Sequence, residues 1–325
     1  MKTMRTILNS VSRMAAIAIL STLFAGVMNA GFTIRRASGA NPAAIQSAIN
    51  LFRTDLGGAD NGTGGHFTNG RREINWDDVP HTSAMPNFME PDFFNSVLPR
   101  GLVLNAIEYE TGAAHNDFMV SAATGNPTNT PVEFGNLNLT YPGLFVPFSG
   151  QRIMAARGTS LLEFMFYIPG TSVPATVKGF GAVFLDTDST LGGQKSAIRC
   201  YDRAGRQVGA ASTDVSNNGL VFLGLTFTGG DRASRCSIEA GNIRLQADTF
   251  DGQSGFDIVA LDDFIFGEPQ AAEYHHGDFD GDGSMDLSVL RPQTGEWFIL
   301  NSGTNTIHPA KHLRTTRRHA DTRRF

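Results

Sequence analysis

Near its C-terminal end the chain reads Gly277-Asp278-Phe279-Asp280-Gly281-Asp282-Gly283-Ser284-Met285-Asp286. Asp278, Asp280 and Asp282 alternate, Gly283 permits a sharp turn, and Asp286 follows four residues after Asp282. Carboxylates at every second position of a tight loop can converge on one hard cation. Ca²⁺ takes about six to eight oxygen ligands at about 2.3–2.6 Å, and a glycine lets the loop close around it. An EF-hand would need a flanking helix on each side and Glu at the twelfth loop position, where this chain has Val289. Instead, Leu287-Ser288-Val289-Leu290 and Glu296-Trp297-Phe298-Ile299-Leu300 read as two strands about the turn Arg291-Pro292-Gln293-Thr294-Gly295. The expectation is a calcium hairpin in a β context. The alternative is a solvated acidic turn.

The stretch GDFDGDGSMDLSVLRPQTGEWFILNS resembles an FG-GAP (VCBS-type) repeat, the calcium-binding blade unit of β-propellers in secreted bacterial proteins and integrin α chains. The resemblance covers about residues 274–303. It implies Asp278, Asp280, Asp282 and Asp286 as side-chain ligands and the Ser284 carbonyl as a backbone ligand. A propeller needs roughly four to eight such blades, and this chain carries one incomplete unit, read as 277–303 after a linker at 269–276.

From 304 to 325 Arg and His crowd together and the strand pattern stops, so this stretch is expected to be a disordered basic tail. One account of it is a shifted reading frame that cuts short an array of repeats. The other is a native tail for an acidic partner.

Three further groups of residues invite chemistry. Arg72, Trp76, Asp77 and Asp78 lie in a Gly-rich, polar stretch and suit a ligand surface, with Trp76 stacking on a sugar face and the others bonding its hydroxyls. The alternative is a long loop pinned by Arg–Asp pairs around a buried Trp. Glu73 with Asp77 or Asp78 could also form a glycosidase pair, which needs only two acids about 5–9.5 Å apart. Next, Asp186 and Asp188 follow a strand, while Asp257, Asp262 and Asp263 lie on or near the last strand of the same region. Asp186, Asp188, Asp262 and Asp263 are taken as a second metal site; solvated strand ends are the alternative. Finally, Cys200 and Cys236 are the only cysteines, and each shares strand parity with an isoleucine two residues away. Both should face a core, as a disulfide or as two thiols on non-adjacent strands. His275-His276 is read as polar linker in preference to a metal site. G-x-S-x-G, H-E-x-x-H and a phosphate-binding glycine loop are absent from the sequence, and no catalytic residue or organic cofactor is assigned.

The elements that must position these residues are mostly strands. Strand patterns with turn signals between them fall at Leu102–Ala106, Phe118–Ala122, Leu161–Ile168, Val177–Leu185, Ala197–Tyr201, Gln207–Ala211, Leu220–Phe227, Arg235–Glu239 and Ile258–Phe266. Leu161–Ile168 and Leu220–Phe227 are apolar on both faces. Residues 41–57 form the one clear helix. Asn41 caps it, Pro42 opens it and Gly57 stops it, while Ile45, Ile49, Phe52 and Leu56 make one apolar stripe. The run Val177–Gly267 resembles the jelly-roll sandwiches of bacterial surface proteins through Gly179-Phe180-Gly181, Asp202–Gly205 and Leu261-Asp262-Asp263-Phe264-Ile265-Phe266-Gly267. The stretch from Gly31 is similar to an uncharacterised secreted bacterial family with GRREINW-type motifs.

Lys2, Arg5 and Arg13 precede the apolar run Met14–Val27, and Asn29-Ala30 follows. This is the pattern of a Sec-type signal peptide with cleavage after Ala30. No later stretch is long enough to span a bilayer. The chain carries −5 overall, but leader and tail are basic, so the body between them is much more acidic than the total. That balance argues against nucleic acid. The expected architecture is mainly β: a helix and loop-rich segment (31–100), a jelly-roll-like β-sandwich (101–268), then a partial propeller-type repeat. The expected role is that of a secreted or cell-surface, non-catalytic Ca²⁺-binding protein that holds glycan or another protein. The alternative is a secreted carbohydrate-active enzyme using the carboxylates near Trp76.

Overall fold

The structure is a computed structural model that describes residues 28–29, 31–107, 114–115, 118–188, 193, 195–271, 279, 285–294, 296–301 and 306–311. The leader before Met28 and the basic stretch after Lys311 lie outside the described residues.

In chain order the main elements begin β1 (Phe32–Gly39), α1 (Pro42–Leu56), β2 (Arg71–Ile74), β3 (Leu102–Ile107), β4 (Phe118–Val120), β5 (Met154–Ala156) and β6 (Leu161–Phe166). They continue with β7 (Gly179–Thr187), β8 (Ala197–Tyr201), β9 (Gln207–Ser212), β10 (Ser216–Phe227), β11 (Arg235–Glu239) and β12 (Ala260–Gly267). The last three are β13 (Leu287–Arg291), β14 (Glu296–Leu300) and β15 (Ile307–Lys311). The chain is mainly β, and its sheets are antiparallel.

One large sheet runs β1-β10-β7-β12-β5-β4, with Met28–Asn29 outside β1 and β2 also paired to β12. The second runs β9-β8-β11-β6-β3, ending on Ala114–His115. The two face one another across one core. Phe180 of β7 and Phe264 of β12 meet Phe164 of β6, each with ring centroids 5.0 Å apart. Residues alternate across a strand, so β7 sends Phe180, Ala182 and Phe184 into this core and Val183 and Leu185 to the opposite face. That face belongs to a second cluster formed by α1, whose stripe residues Ile45, Ile49, Phe52 and Leu56 are all buried, together with Phe134, Tyr141 and Phe145. Covered on both faces, β7 is buried at every position. The second sheet has one dry face only. β6 alternates half-buried and buried residues, so Leu161–Phe166 is not the doubly apolar strand that its composition suggests.

Glycine sets how closely α1 lies on the sheet. A Cβ on Gly224 would stand 2.7 Å from the Phe52 ring, and one on Gly181 would stand 2.9 Å from it. Bare backbone at these two places makes room for Phe52, which meets Phe222 at 5.4 Å. The helix starts at Pro42 and stops before Gly57 as expected, but the Asn41 side chain makes no capping hydrogen bond.

Three expectations change. Residues 31–100 are not merely packed on the sheets: β1 pairs with β10 along its whole length, and β2 pairs with β12. Both carry paired arginines, which hide their strand character. The stretch 269–276 is not all linker, because Gln270–Ala271 pairs with Ala175–Thr176. The tail is ordered at its start: β15 adds a third strand to the β13–β14 hairpin.

Candidate metal centre

The Trp76 cluster is built as a structural knot. Trp76 is fully buried, with its indole edge-on to Phe94 and Phe264 at 5.4 and 5.1 Å. A ring in that position cannot stack on a sugar. Arg72 is fully buried as well. Its guanidinium forms a two-pronged ion pair with Glu268, at 2.6 and 2.7 Å, and also donates to the carbonyls of Gly62, Gly64 and Gly65. Glu268 in turn accepts from the Asn61 side chain and the Phe67 N–H. Asp77 is exposed and accepts the N–H groups of Gln151 and Arg152. Asp78 pairs with Arg100 at 2.5 Å. Glu73 is shared between Arg53 and Arg71, at 2.6 and 2.5 Å. Burial opposes the charge on Glu73, but the two guanidiniums outweigh it and hold the carboxyl below its ordinary value. A deprotonated, doubly paired Glu73 is unsuited to act as a general acid.

Of the C-terminal loop, Asp278, Asp280, Asp282 and Ser284 lie outside the described residues, as do His275 and His276. Asp286 is described. It is buried just before β13 and accepts the Phe279 N–H at 2.7 Å.

Cys200 and Cys236 stand directly opposite each other on β8 and β11 and are joined as a disulfide within the core. They therefore lie on adjacent strands.

Four aspartates gather at the other end of β7. Asp186 sits at a bulge in the β7–β10 register, between Leu185 and Thr187, with φ of 62°. Asp tolerates this left-handed conformation better than most residues. The carboxyl is thereby turned to accept the Asn218 N–H at 2.6 Å on one oxygen. Asp188 follows, half-buried, and its side chain accepts from the Asn217 amide at 3.1 Å. Its own N–H donates to one oxygen of Asp257 at 2.9 Å. Asp257 lies in the loop that enters β12, its N–H held by the Asn242 side chain. Asp251, on the same loop, accepts the Ile258 N–H at 3.1 Å, and, on top of burial, the neighbouring Asp188 carboxylate raises its pKa.

Asp186 and Asp257 are fully buried, and the second carboxylate oxygen of each has no hydrogen-bond partner. What acts most strongly on these acids is burial, a few N–H donors and one another. Burial is the largest cause, and it pushes Asp186 and Asp257 up to about 7 and Asp251 up to about 6, with the neighbouring aspartates adding to each. Among the described residues no three His, Cys, Asp or Glu side chains stand as a ready-made metal cage.

Asp262 and Asp263 do not join Asp186 and Asp188. Asp262 lies across from Val183, further back along β7, and accepts the N–H groups of Phe148 and Ser149. Asp263 accepts from the Ser149 hydroxyl at 2.7 Å. The pair thus anchors the loop before β5. Asp186 and Asp188 instead meet Asp257, noted in the sequence only as lying near the last strand, and Asp251, which no strand pattern marks. The signal for both is their place in the loop entering β12, the strand that neighbours β7.

The chain matches no family model, no curated protein and no solved structure. Among the described residues no helix is long and apolar enough to cross a membrane.

Proposed function

We propose that this chain is an exported, non-catalytic protein of the cell surface or envelope. It is a jelly-roll-like β-sandwich followed by one FG-GAP-type calcium unit, and it binds glycan or another protein. The observation that carries this reading over a carbohydrate-active enzyme is the commitment of the Trp76 region to the fold. Trp76 is buried, and Glu73 and Asp78 are each engaged by arginine. The Cys200–Cys236 disulfide supports export, because disulfides persist in oxidising compartments. At the C-terminal unit, buried Asp286 and the β13–β14 hairpin agree with a loop in which Asp278, Asp280, Asp282, Asp286 and the Ser284 carbonyl would hold Ca²⁺. When bound, the ion would neutralise the loop's carboxylates and rigidify the turn into β13.

The test is retention of the purified protein on a panel of insoluble polysaccharides, with soluble products assayed. Retention without product is expected. Release of oligosaccharide that Glu73→Gln abolishes would overturn the reading in favour of an enzyme.

A further inference from the structure

We propose that Asp186, Asp188, Asp251 and Asp257 form a Ca²⁺ site within the sandwich itself, separate from the C-terminal loop. The site would tie the end of β7, the start of β10 and the loop entering β12 into one corner. Its warrant is the pair of unpartnered oxygens. Asp186 and Asp257 are fully buried, each has one carboxylate oxygen satisfied by a backbone N–H, and each has the other oxygen without a partner. An unmet buried carboxylate oxygen is costly, and here two occur in the company of two more acids. All six pairings within the four act on one another electrostatically. A divalent cation meets both demands at once, supplying the missing partner and cancelling the repulsion.

The donors select the metal. All four are carboxylates, with no sulfur or imidazole in the group, which favours a hard cation over zinc or copper. They come from separated backbone segments at unequal depths, and the two half-buried members, Asp188 and Asp251, would have to rotate toward the buried pair. Ca²⁺ accepts irregular sets of about six to eight oxygens, whereas Mg²⁺ demands a near-ideal octahedron. Asp186 and Asp257 are held by N–H partners in one orientation each and form the fixed half of the site. Remaining positions fall to water and backbone carbonyls.

Calcium titration calorimetry and thermal melts of the full protein at pH 7.5, with EGTA as the metal-free reference, test this. Asp280→Ala removes one of the four carboxylate ligands of the C-terminal loop and serves to disable it. In that variant one Ca²⁺ should still bind, and saturating Ca²⁺ should raise Tm by about 5–10 °C at a hundredfold excess over Kd. Adding Asp186→Asn and Asp257→Asn to Asp280→Ala should abolish both effects. The asparagines keep the oxygens that accept from Asn218 and Asp188 and remove two repelling charges, so Tm in EGTA should be unchanged or higher. Hydrogen exchange on Asp280→Ala locates the site without those variants: Ca²⁺ should slow amides at 186–188, 216–218 and 251–258. An Asp280→Ala protein that binds no Ca²⁺, or that binds it without protecting these amides, overturns the sandwich site. A wild type that binds no more Ca²⁺ than Asp280→Ala overturns the C-terminal loop and leaves the sandwich site standing.

Discussion

Two groups of buried charge lie on the same large sheet and differ in what surrounds them. At one, Arg72 and Glu268 are almost completely dry, yet between them they use two mutual bonds, three glycine carbonyls, the Asn61 amide and the Phe67 N–H. At the other, Asp186 and Asp257 are as dry, but each has an oxygen with nothing to bond and other acids for neighbours. Burial alone does not distinguish a structural charge from a binding group. At these two places the carboxylates differ in how completely they are partnered. A saturated pair has no capacity left for a ligand, whereas a deficient one does.

The largest effect expected from this contrast comes from making the saturated site deficient. Arg72→Met would leave Glu268 buried without its counter-ion, and removing one partner of a buried pair costs about 3–5 kcal/mol. Urea denaturation at pH 7 should show a loss of that size. The double variant Arg72→Met, Glu268→Leu should recover part of it, since no isolated charge would remain. If the single variant lost less than about 1 kcal/mol, Arg72 would be solvated in solution and the structural reading of this region would fail.

Trp76 offers the next effect. As part of the same knot it packs edge-on against Phe94 and Phe264, and truncation to Ala should cost about 3–4 kcal/mol through the cavity left behind. Trp76→Phe should cost far less, because it also removes an indole N–H that has no partner. Retention on polysaccharide should be the same for Trp76→Phe as for wild type. A selective loss of retention in a folded Trp76→Phe protein would return this region to the list of ligand surfaces.

Asp262 and Asp263 stand between the two extremes, acid beside acid but supplied with donors from Ser149 and the Phe148 N–H. Burial pushes Asp262 well above its ordinary value and Asp263 up to about 6, with Glu73 raising the latter and Ser149, Asp262 and Arg53 opposing. A carboxyl whose folded pKa lies above its unfolded value binds its proton more tightly when folded. Its contribution to stability is therefore full below the unfolded value near 4 and is lost as pH rises through about 6. Replacing Asp263 by Asn should flatten the fall in unfolding free energy between pH 4.5 and 7 by about 2 kcal/mol. The comparison of wild type with Asp263→Asn, both in EGTA, isolates this term from the Asp186 cluster. An unchanged slope would show that Asp263 is ionised at pH 4.5 in the folded protein.

How much of this could be read from residues follows the range of the interactions. The α1 stripe repeats within the helix and is visible locally, as is the alternation of Arg235–Glu239 and Ala197–Tyr201. The parity of Cys200 with Ile198 and of Cys236 with Ile238 pointed both sulfurs inward. That β8 and β11 are neighbours depends on strand order, which local pattern does not carry. β1 and β2 were hidden because Arg35-Arg36 and Arg71-Arg72 break an apolar pattern. Their arginines are accommodated by Asp55, Asp214, Glu73 and Glu268, and the last of these is 196 residues from Arg72. The aspartate centre was half legible. Asp186 and Asp188 mark themselves by spacing after a strand, but their companions could be chosen only once β12 was known to lie beside β7.

The smallest expected effect tests the rim of the saturated region. Asp78 pairs with Arg100, but its side chain is 44% exposed, so water and salt share the interaction. Exposed ion pairs contribute at most about 1 kcal/mol, and Asp78→Asn retains an oxygen that can accept from the same guanidinium. Its unfolding free energy should lie within about 1 kcal/mol of wild type, and the difference should shrink in 0.5 M NaCl. The buried pair should respond differently, because charges in a dry site are screened much less. Arg72→Met measured in the same salt should keep nearly all of its loss. If both variants lost their effects together, burial would not be what separates the rim from the centre, and the partner-set argument for the aspartate cluster would weaken with it.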